Sequence, residues 1–327
     1  MVSVVDSFVE LGNRLQSFGN DEYTLQIIAE ACAANKWFTP ADIYRAVEAI
    51  REQFLNREKL QGWLSHYNIE QVQPKRVAII MAGNIPLVGF FDLMCVLMCG
   101  HTTLVKPSSK DKILTEYIIG ELKAISPALP IESYDPNDQC DMVIATGGDS
   151  AAAYFQSKYA TTPSLIRGSR HSLAVMSGNE TEEDWKALSH DIFTYSGLGC
   201  RNVSLVMLPR GTELRIPEPD SMNEMYRGCY LSSRALMMMT SQPHTDLGHA
   251  LAVERQGFSD NISCINYCYY DSIEQVEQWL TENDEKIQCI VSRAITHPRR
   301  VDFGRAQYPT LFDYADGVDV MKFLISN

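Results

Sequence analysis

The sequence predicts an α/β chain with a doubly wound parallel sheet, a second α/β domain, and a helical N-terminal segment. Three observations carry this reading. The first 70 residues place apolar side chains at helical spacing without strand-like alternation. From Arg76 onward, short apolar runs alternate with amphipathic segments, the pattern of strand, helix, strand in a parallel sheet. Finally, 327 residues with 45% hydrophobic and 21% charged content suffice for two buried cores and exclude disorder as the main state.

In chain order, Phe8, Leu11, Leu15 and Phe18 mark a first helical face, followed by Leu25, Ile28 and Ala29, then Ile43, Val47, Ile50 and Phe54. Thr39 before Pro40 and Asp42 is a good helix start, because a capping hydroxyl and an early proline suit the unpaired amides there. Strands are expected at 77–81, 102–105, 142–145 and 171–176, with helices at 86–98, 111–123, 150–159 and 182–195. Beyond residue 200 the pattern is more mixed, with strands at 204–208, 264–270 and 288–292 and a helix at 273–280. The run Met237-Met-Met239 is expected to be core packing. Parallel sheets bind ligands outside the carboxyl ends of their strands. The turns to inspect are therefore Ala82-Gly-Asn-Ile-Pro86, Lys106-Pro-Ser-Ser109 and Thr146-Gly-Gly-Asp149.

Twenty-eight Lys and Arg against 41 Asp and Glu give a net charge of −13, with no basic run, which argues against nucleic acid as a partner. A few placed cations still suffice for small anions. Nine cysteines, an odd number in a large chain, read as reduced thiols in a cytoplasmic protein. Their closest spacings, Cys95-x3-Cys99 and Cys264-x3-Cys268, lack a histidine to complete a zinc set, so no metal is expected. Asp6, Glu10 and Arg14 interrupt any signal-peptide pattern, and Asp92, Asn84, Pro86 and Gly89 break up the most apolar stretch, so no membrane span is expected.

The segment Gly197-Leu-Gly-Cys200-Arg-Asn202 is the most informative local feature. Two glycines before a cysteine allow a tight turn and leave the sulfur uncrowded, and adjacent amides could stabilise an oxyanion. A thiol with a pKa near 8.5 is only about 3% thiolate at pH 7, and lowering that pKa to about 7 raises the fraction roughly fifteen-fold. Arg201 or a helix terminus could supply the shift. The alternative is that Cys200 is one more buried small apolar residue, as the other eight cysteines are expected to be. Asn84 likewise reads either as a functional amide or as a turn residue tolerating left-handed geometry, and Lys106 either as a ligand cation or as a surface lysine.

These segments together resemble the aldehyde dehydrogenase superfamily, and within it the acyl-CoA reductase branch typified by the fatty acid reductase of bacterial luminescence. The Ala82 to Pro86 turn resembles the one whose asparagine helps form an oxyanion hole. Val105-Lys-Pro-Ser108 resembles the segment whose lysine binds the cofactor's adenosine ribose or 2′-phosphate, and Thr146-Gly-Gly148 the turn near the cofactor pyrophosphate. Gly197 stands three residues before Cys200, where the superfamily has a glycine before its nucleophile. Arg167-x-x-Arg170, Ser177-Gly-Asn-Glu-Thr181 and Asp313-Tyr-Ala-Asp-Gly-Val-Asp319 are closer still to the reductase branch. The ordinary Gly-x-Gly-x-x-Gly and P-loop fingerprints are absent, which this superfamily does not need.

The resemblance implies a helical segment over 1–75, a dinucleotide-binding domain over 76–188, a catalytic thiol domain over 189–312, and a return or oligomerisation strand over 313–327. It implies reduction of an acyl-CoA or acyl carrier protein thioester to an aldehyde through a Cys200 acyl-enzyme, with Asn84 as the oxyanion donor. Lys106, Ser108, Ser109, Thr146, Gly147 and Gly148 would bind the cofactor. Ser109 stands where relatives often carry an acidic residue that repels a 2′-phosphate, so NADPH is expected, with NADH possible. Glu180, His190 and His297 are candidate acids or bases, Glu180 also reading as a helix start. Arg167, Arg170, Arg299 and Arg300 are candidate phosphate partners, with solvated surface the preferred reading of Arg300. A homo-oligomer is expected from the tail. Two other readings remain: a Cys200-dependent acyltransferase or thioesterase, and a degenerate non-catalytic binding subunit.

Overall fold

A computed structural model describes residues 3–327 and divides them into two compact units. Unit 1 runs to Ser169 and also includes Thr310–Asn327; unit 2 is Arg170–Pro309.

Unit 1 opens with four helices, α1 (Val4–Leu15), α2 (Glu22–Ala34), α3 (Pro40–Phe54) and α4 (Arg57–Leu64). Each begins at a side chain that accepts a first-turn amide: Ser3, Asp21, Thr39 and Asn56. The sheet elements follow as β1 (Arg76–Ile80), α5 (Phe90–Met98), β2 (Thr102–Lys106), α6 (Lys112–Ile125), β3 (Ile131–Ser133), β4 (Met142–Thr146), α7 (Asp149–Lys158) and β5 (Ser164–Arg167). Strand order is β3-β2-β1-β4-β5, all parallel. The chain leaves β1 for β2 on one side and returns to β4 on the other, so the topological switch point falls between β1 and β4. Val77, Ile79, Val105, Met142 and Ile144 pack into the core shared with the N-terminal helices, whereas Ala78, Ile80, Leu104, Val143 and Ala145 face Phe155 and Tyr159. Burial on both faces explains the near-continuous apolar runs.

Unit 2 contains β6 (His171–Val175), α8 (Glu182–Phe193), β7 (Val203–Pro209), α9 (Glu224–Met239), β8 (Thr245–Asp246), β9 (Leu251–Glu254), β10 (Cys264–Tyr270), α10 (Ile273–Glu282), β11 (Ile287–Ser292) and β12 (Arg300–Val301). Its order is β12-β11-β6-β7-β10-β9-β8, parallel except for the β8–β9 pair. One face packs against Trp185, Leu188 and Ile192 of α8, the other against Val276 and Leu280 of α10. Unit 1 closes with a second segment that ends in α11 (Val320–Ser326).

Several expectations are corrected. The tail expected as a strand over 313–327 is a 3-10 turn followed by α11, because Val320, Met321 and Leu324 are buried at helical spacing and Asp319 caps the Lys322 amide. The helix expected from residue 86 starts only at Phe90, since Leu87 takes a left-handed φ of 57° that no helix accommodates. Met237 to Met239 are not core: Met238 and Met239 are 64% and 84% exposed at the end of α9, which turns only Tyr226, Tyr230 and Ser233 inward. That narrow, partly polar stripe is why α9 gives no periodic signal. The unit boundary falls at Ser169/Arg170, upstream of 188/189, because β6 pairs with β7 and β11. Among the described residues, no helix is long and apolar enough to cross a membrane.

Candidate active site

In unit 1, β1, β2 and β4 end together: Ile80 is the register partner of Lys106 on one side and of Ala145 on the other. The turns carrying Asn84, Lys106 and Thr146 therefore leave one carboxyl edge, at the switch point. The first two turns touch closely. A Cβ added to Gly83 would stand 2.5 Å from the Ser108 hydroxyl oxygen and 2.6 Å from its Cβ, so only glycine fits. Beside them, the buried Asp111 carboxylate accepts the Leu87 N–H at 2.9 Å. Burial pushes the Asp111 carboxyl up to about 8, against the opposing pull of the Leu87 amide and the Thr115 hydroxyl. Asn84 is half-buried, and the left-handed residue of its turn is Leu87, not Asn84.

The remaining expected cofactor residues lie along the same edge. Lys106, Ser109 and Gly148 are exposed; Ser108, Thr146 and Gly147 are half-buried. The Gly147 N–H donates to the Arg167 carbonyl at 3.2 Å, and Gly148 caps α7 without a side-chain partner for its first amides. Arg167 is not a surface phosphate partner. Its guanidinium is buried, donates to Asp92 at 2.6 Å and to the Thr146 hydroxyl at 3.4 Å, and so braces the turn from beneath.

In unit 2, Cys200 is the single exposed thiol of nine, all of them unbridged. It follows three consecutive left-handed residues, Tyr195, Ser196 and Gly197, with φ of 55°, 56° and 72°. Two of these are not glycine, a conformation that each holds at a cost of about 1–2 kcal/mol and that surrounding contacts must enforce. The turn that follows them is pinned by its neighbours. The Ser172 hydroxyl donates to the Cys200 carbonyl at 2.9 Å, and the Asn202 side-chain oxygen accepts the Gly199 N–H at 2.8 Å. The Arg201 guanidinium donates to the Ala306 carbonyl, and Asp191 accepts the Gly304 and Ala306 amides at 2.7 and 2.9 Å. Burial raises the Asp191 carboxyl to about 7 despite those two amides.

Most of the other candidates are committed elsewhere. Glu180 accepts the Ser177 and Gly178 amides, closing the turn before α8, while the helix start itself belongs to a Thr181 and Asp184 capping box. His297 accepts the Arg299 amide at 3.1 Å, and burial holds it below the ordinary histidine range. His190 is exposed on the last turn of α8. Arg170 and Arg299 both donate to the Ile287 and Asp284 carbonyls; the exposed Arg300 donates to the Ser292 carbonyl. The expected residues thus gather in two groups: Asn84, Lys106, Ser108, Ser109, Thr146, Gly147 and Gly148 on unit 1, and Cys200 on unit 2. Sequence reasoning missed Asp111 and Ser172, which carry no motif, and assigned no part to Asn202, which stands inside one.

Comparison with known proteins identifies the fold and the family. The aldehyde dehydrogenase of Bacillus cereus, solved as its NAD+ complex, superposes with a TM-score of 0.61 at 14% identity, covering 88% of this chain and 71% of that one. Aldehyde dehydrogenase 21 of Physcomitrella patens, solved with the reaction product succinate, gives 0.62 at 11% identity, covering 89% and 73%. The fold is therefore aldehyde-dehydrogenase-like. A "Long-chain acyl-protein thioester reductase" of Aliivibrio fischeri is 24% identical over 149 residues, covering 40% of this chain and only 31% of that relative. The model of the "Acyl-CoA reductase (LuxC)" family matches residues 17–222, more than half of the sequence. The chain belongs to the LuxC acyl-CoA reductase family.

Proposed function

We propose that the protein is an oxidoreductase that reduces an acyl thioester, an acyl-CoA or an acyl-protein, to an aldehyde through an acyl-enzyme on Cys200. The observation that carries the reading is the singular standing of Cys200: the one exposed thiol of nine, on a strained turn pinned on both sides, in a chain of this family. The Cys200 thiolate attacks the thioester carbonyl carbon, the electron pair moves to oxygen, and collapse expels the carrier thiolate, which takes up a proton. Asn84 donates its side-chain amide to the developing oxyanion, an interaction typically worth about 3–4 kcal/mol in the transition state.

The carboxyl edge of unit 1 fits a dinucleotide: the glycine at position 83 lets two turns close up, Lys106 offers an exposed cation, and the Thr146 to Gly148 turn opens α7. Lys106, Ser108, Ser109, Thr146, Gly147 and Gly148 would hold it, with NADPH preferred because Ser109 presents no carboxylate to a 2′-phosphate. When bound, the reduced nicotinamide supplies the hydride that releases the acyl group as aldehyde. A hydrolase would need a base to activate water; Glu180 is tied to the Ser177 and Gly178 amides, which favours the reductive direction and leaves the exposed His190 as the base of the hydrolytic alternative.

The test is a panel of acyl-CoAs and acyl-proteins incubated with NADPH or NADH, following nicotinamide absorbance and trapping aldehyde. Aldehyde formed in step with NADPH oxidation, and abolished in Cys200→Ala, is the expected result. Free fatty acid with no nicotinamide oxidation would instead support a thioesterase.

A further inference from the structure

Asn202 is 5% exposed, and both its side-chain oxygen and its side-chain nitrogen are hydrogen-bonded. Its oxygen accepts the Gly199 N–H at 2.8 Å, and its own backbone N–H donates to the Gly199 carbonyl at 3.0 Å, so the loop around Cys200 is closed upon itself. Its side-chain nitrogen, which has two N–H groups, reaches the carbonyls of Asp191, Ile192 and Thr194 at 3.2, 3.0 and 2.8 Å, one N–H being shared between two of them. These carbonyls lie at the end of α8, where the last turn leaves backbone acceptors without helical partners. One amide thus fastens the Cys200 loop to a helix terminus across the left-handed residues 195–197. On the opposite flank, Ser172 takes the Cys200 carbonyl from β6.

We infer that Asn202, with Ser172, is a positioning residue that sets the location of the Cys200 sulfur by tying its loop to the C-terminus of α8 and to the central sheet of unit 2. The inference rests on the proposed role of Cys200. The chemistry explains why an amide is needed. A carboxylate of the same shape could accept the Gly199 amide but would turn an oxygen toward three carbonyls, and an aliphatic side chain would satisfy neither end. Displacing a reacting atom by about 1 Å costs on the order of a hundred-fold in rate while leaving remote binding contacts intact, so the effect belongs in kcat and not in KM.

The experiment compares wild type, Asn202→Asp, Asn202→Leu, Ser172→Ala and Cys200→Ala as full-length proteins. Acylation by a long-chain acyl-CoA is timed by intact mass, KM and kcat are measured with NADPH, and circular dichroism with thermal melting verifies folding. The expected result is acylation slowed by about thirty-fold or more in both Asn202 variants and by about three- to ten-fold in Ser172→Ala, with KM unchanged. Ser172→Ala, the milder change, keeps the inference testable where the Asn202 variants do not fold. Wild-type acylation rates in the folded variants would overturn the inference while leaving Cys200 as nucleophile. An acyl adduct that persists in Cys200→Ala would overturn the proposed function, and this inference with it.

Discussion

The two turns expected to meet the thioester are held by opposite kinds of anchor. In unit 1 the Asn84 turn is clamped by a carboxyl, Asp111, which accepts the Leu87 amide beneath a close glycine contact. In unit 2 the Cys200 turn is held directly by neutral groups, the Asn202 amide and the Ser172 hydroxyl, with the buried Asp191 carboxyl one contact removed through the Ala306 segment that Arg201 reaches, and it contains three left-handed residues where the other contains one. A neutral anchor holds at any pH that leaves the protein folded. A buried carboxyl does not, because its ionised form must be kept away from water. The Asn84 turn therefore rests on a titrating anchor directly, and the Cys200 turn only through Asp191, whose carboxyl burial raises to about 7.

The largest effect should come from the proposed oxyanion donor, Asn84. Asn84→Ala should lower kcat by about a hundred- to a thousand-fold, with KM for the acyl donor little changed, as for loss of one oxyanion donor. Steady-state kinetics checks this, and an unchanged kcat would remove Asn84 from the reaction.

Next comes the contact that seats this turn against the Lys106 loop. Gly83→Ala forces a Cβ to within 2.6 Å of the Ser108 Cβ, so one turn must move. Overpacking of this kind typically costs about 1–3 kcal/mol of stability. Denaturant unfolding should show that loss, and nicotinamide titration should show weaker binding. Wild-type values in both would mean that the two turns separate without consequence.

The smallest effect tests the pH distinction. Asp111 has a folded-state pKa of about 8, raised above the ordinary aspartate value. Between the two values the folded state keeps a proton that the unfolded state has released. Stability therefore falls as pH rises from about 4 toward about 8, and the loss is complete above that. Asp111→Asn should remove this dependence, so that its melting temperature gains on wild type between pH 5 and pH 8. Parallel melting curves for the two proteins would refute the assignment.

What the sequence made legible follows from distance along the chain. The strands β1, β2 and β4 are legible because burial on both faces forces short apolar runs, and Cys200, Asn84 and Lys106 stand out as candidates because each lies in a compact motif in or beside a turn. The anchors are not. Asp111 acts on an amide 24 residues away and Ser172 on a carbonyl 28 residues away, and neither relation leaves a local pattern. Asn202 was within the quoted motif, but its three acceptors lie 8 to 11 residues upstream, across a left-handed turn that no propensity encodes. The C-terminal helix was lost for a different reason. The strand-like reading rested on Val318, Val320 and Phe323, whereas the fold buries Val320, Met321 and Leu324.

The central claim is that one thiol of nine carries the acyl group. Wild-type protein is mixed with a long-chain acyl-CoA without nicotinamide, quenched in acid, digested and mapped by tandem mass spectrometry, then the same sample is chased with NADPH before quenching. A single thioester-linked acyl group on the peptide containing Cys200, discharged as aldehyde on addition of NADPH, is the expected result. Acyl groups spread over several cysteines, or on a site other than Cys200, would contradict it.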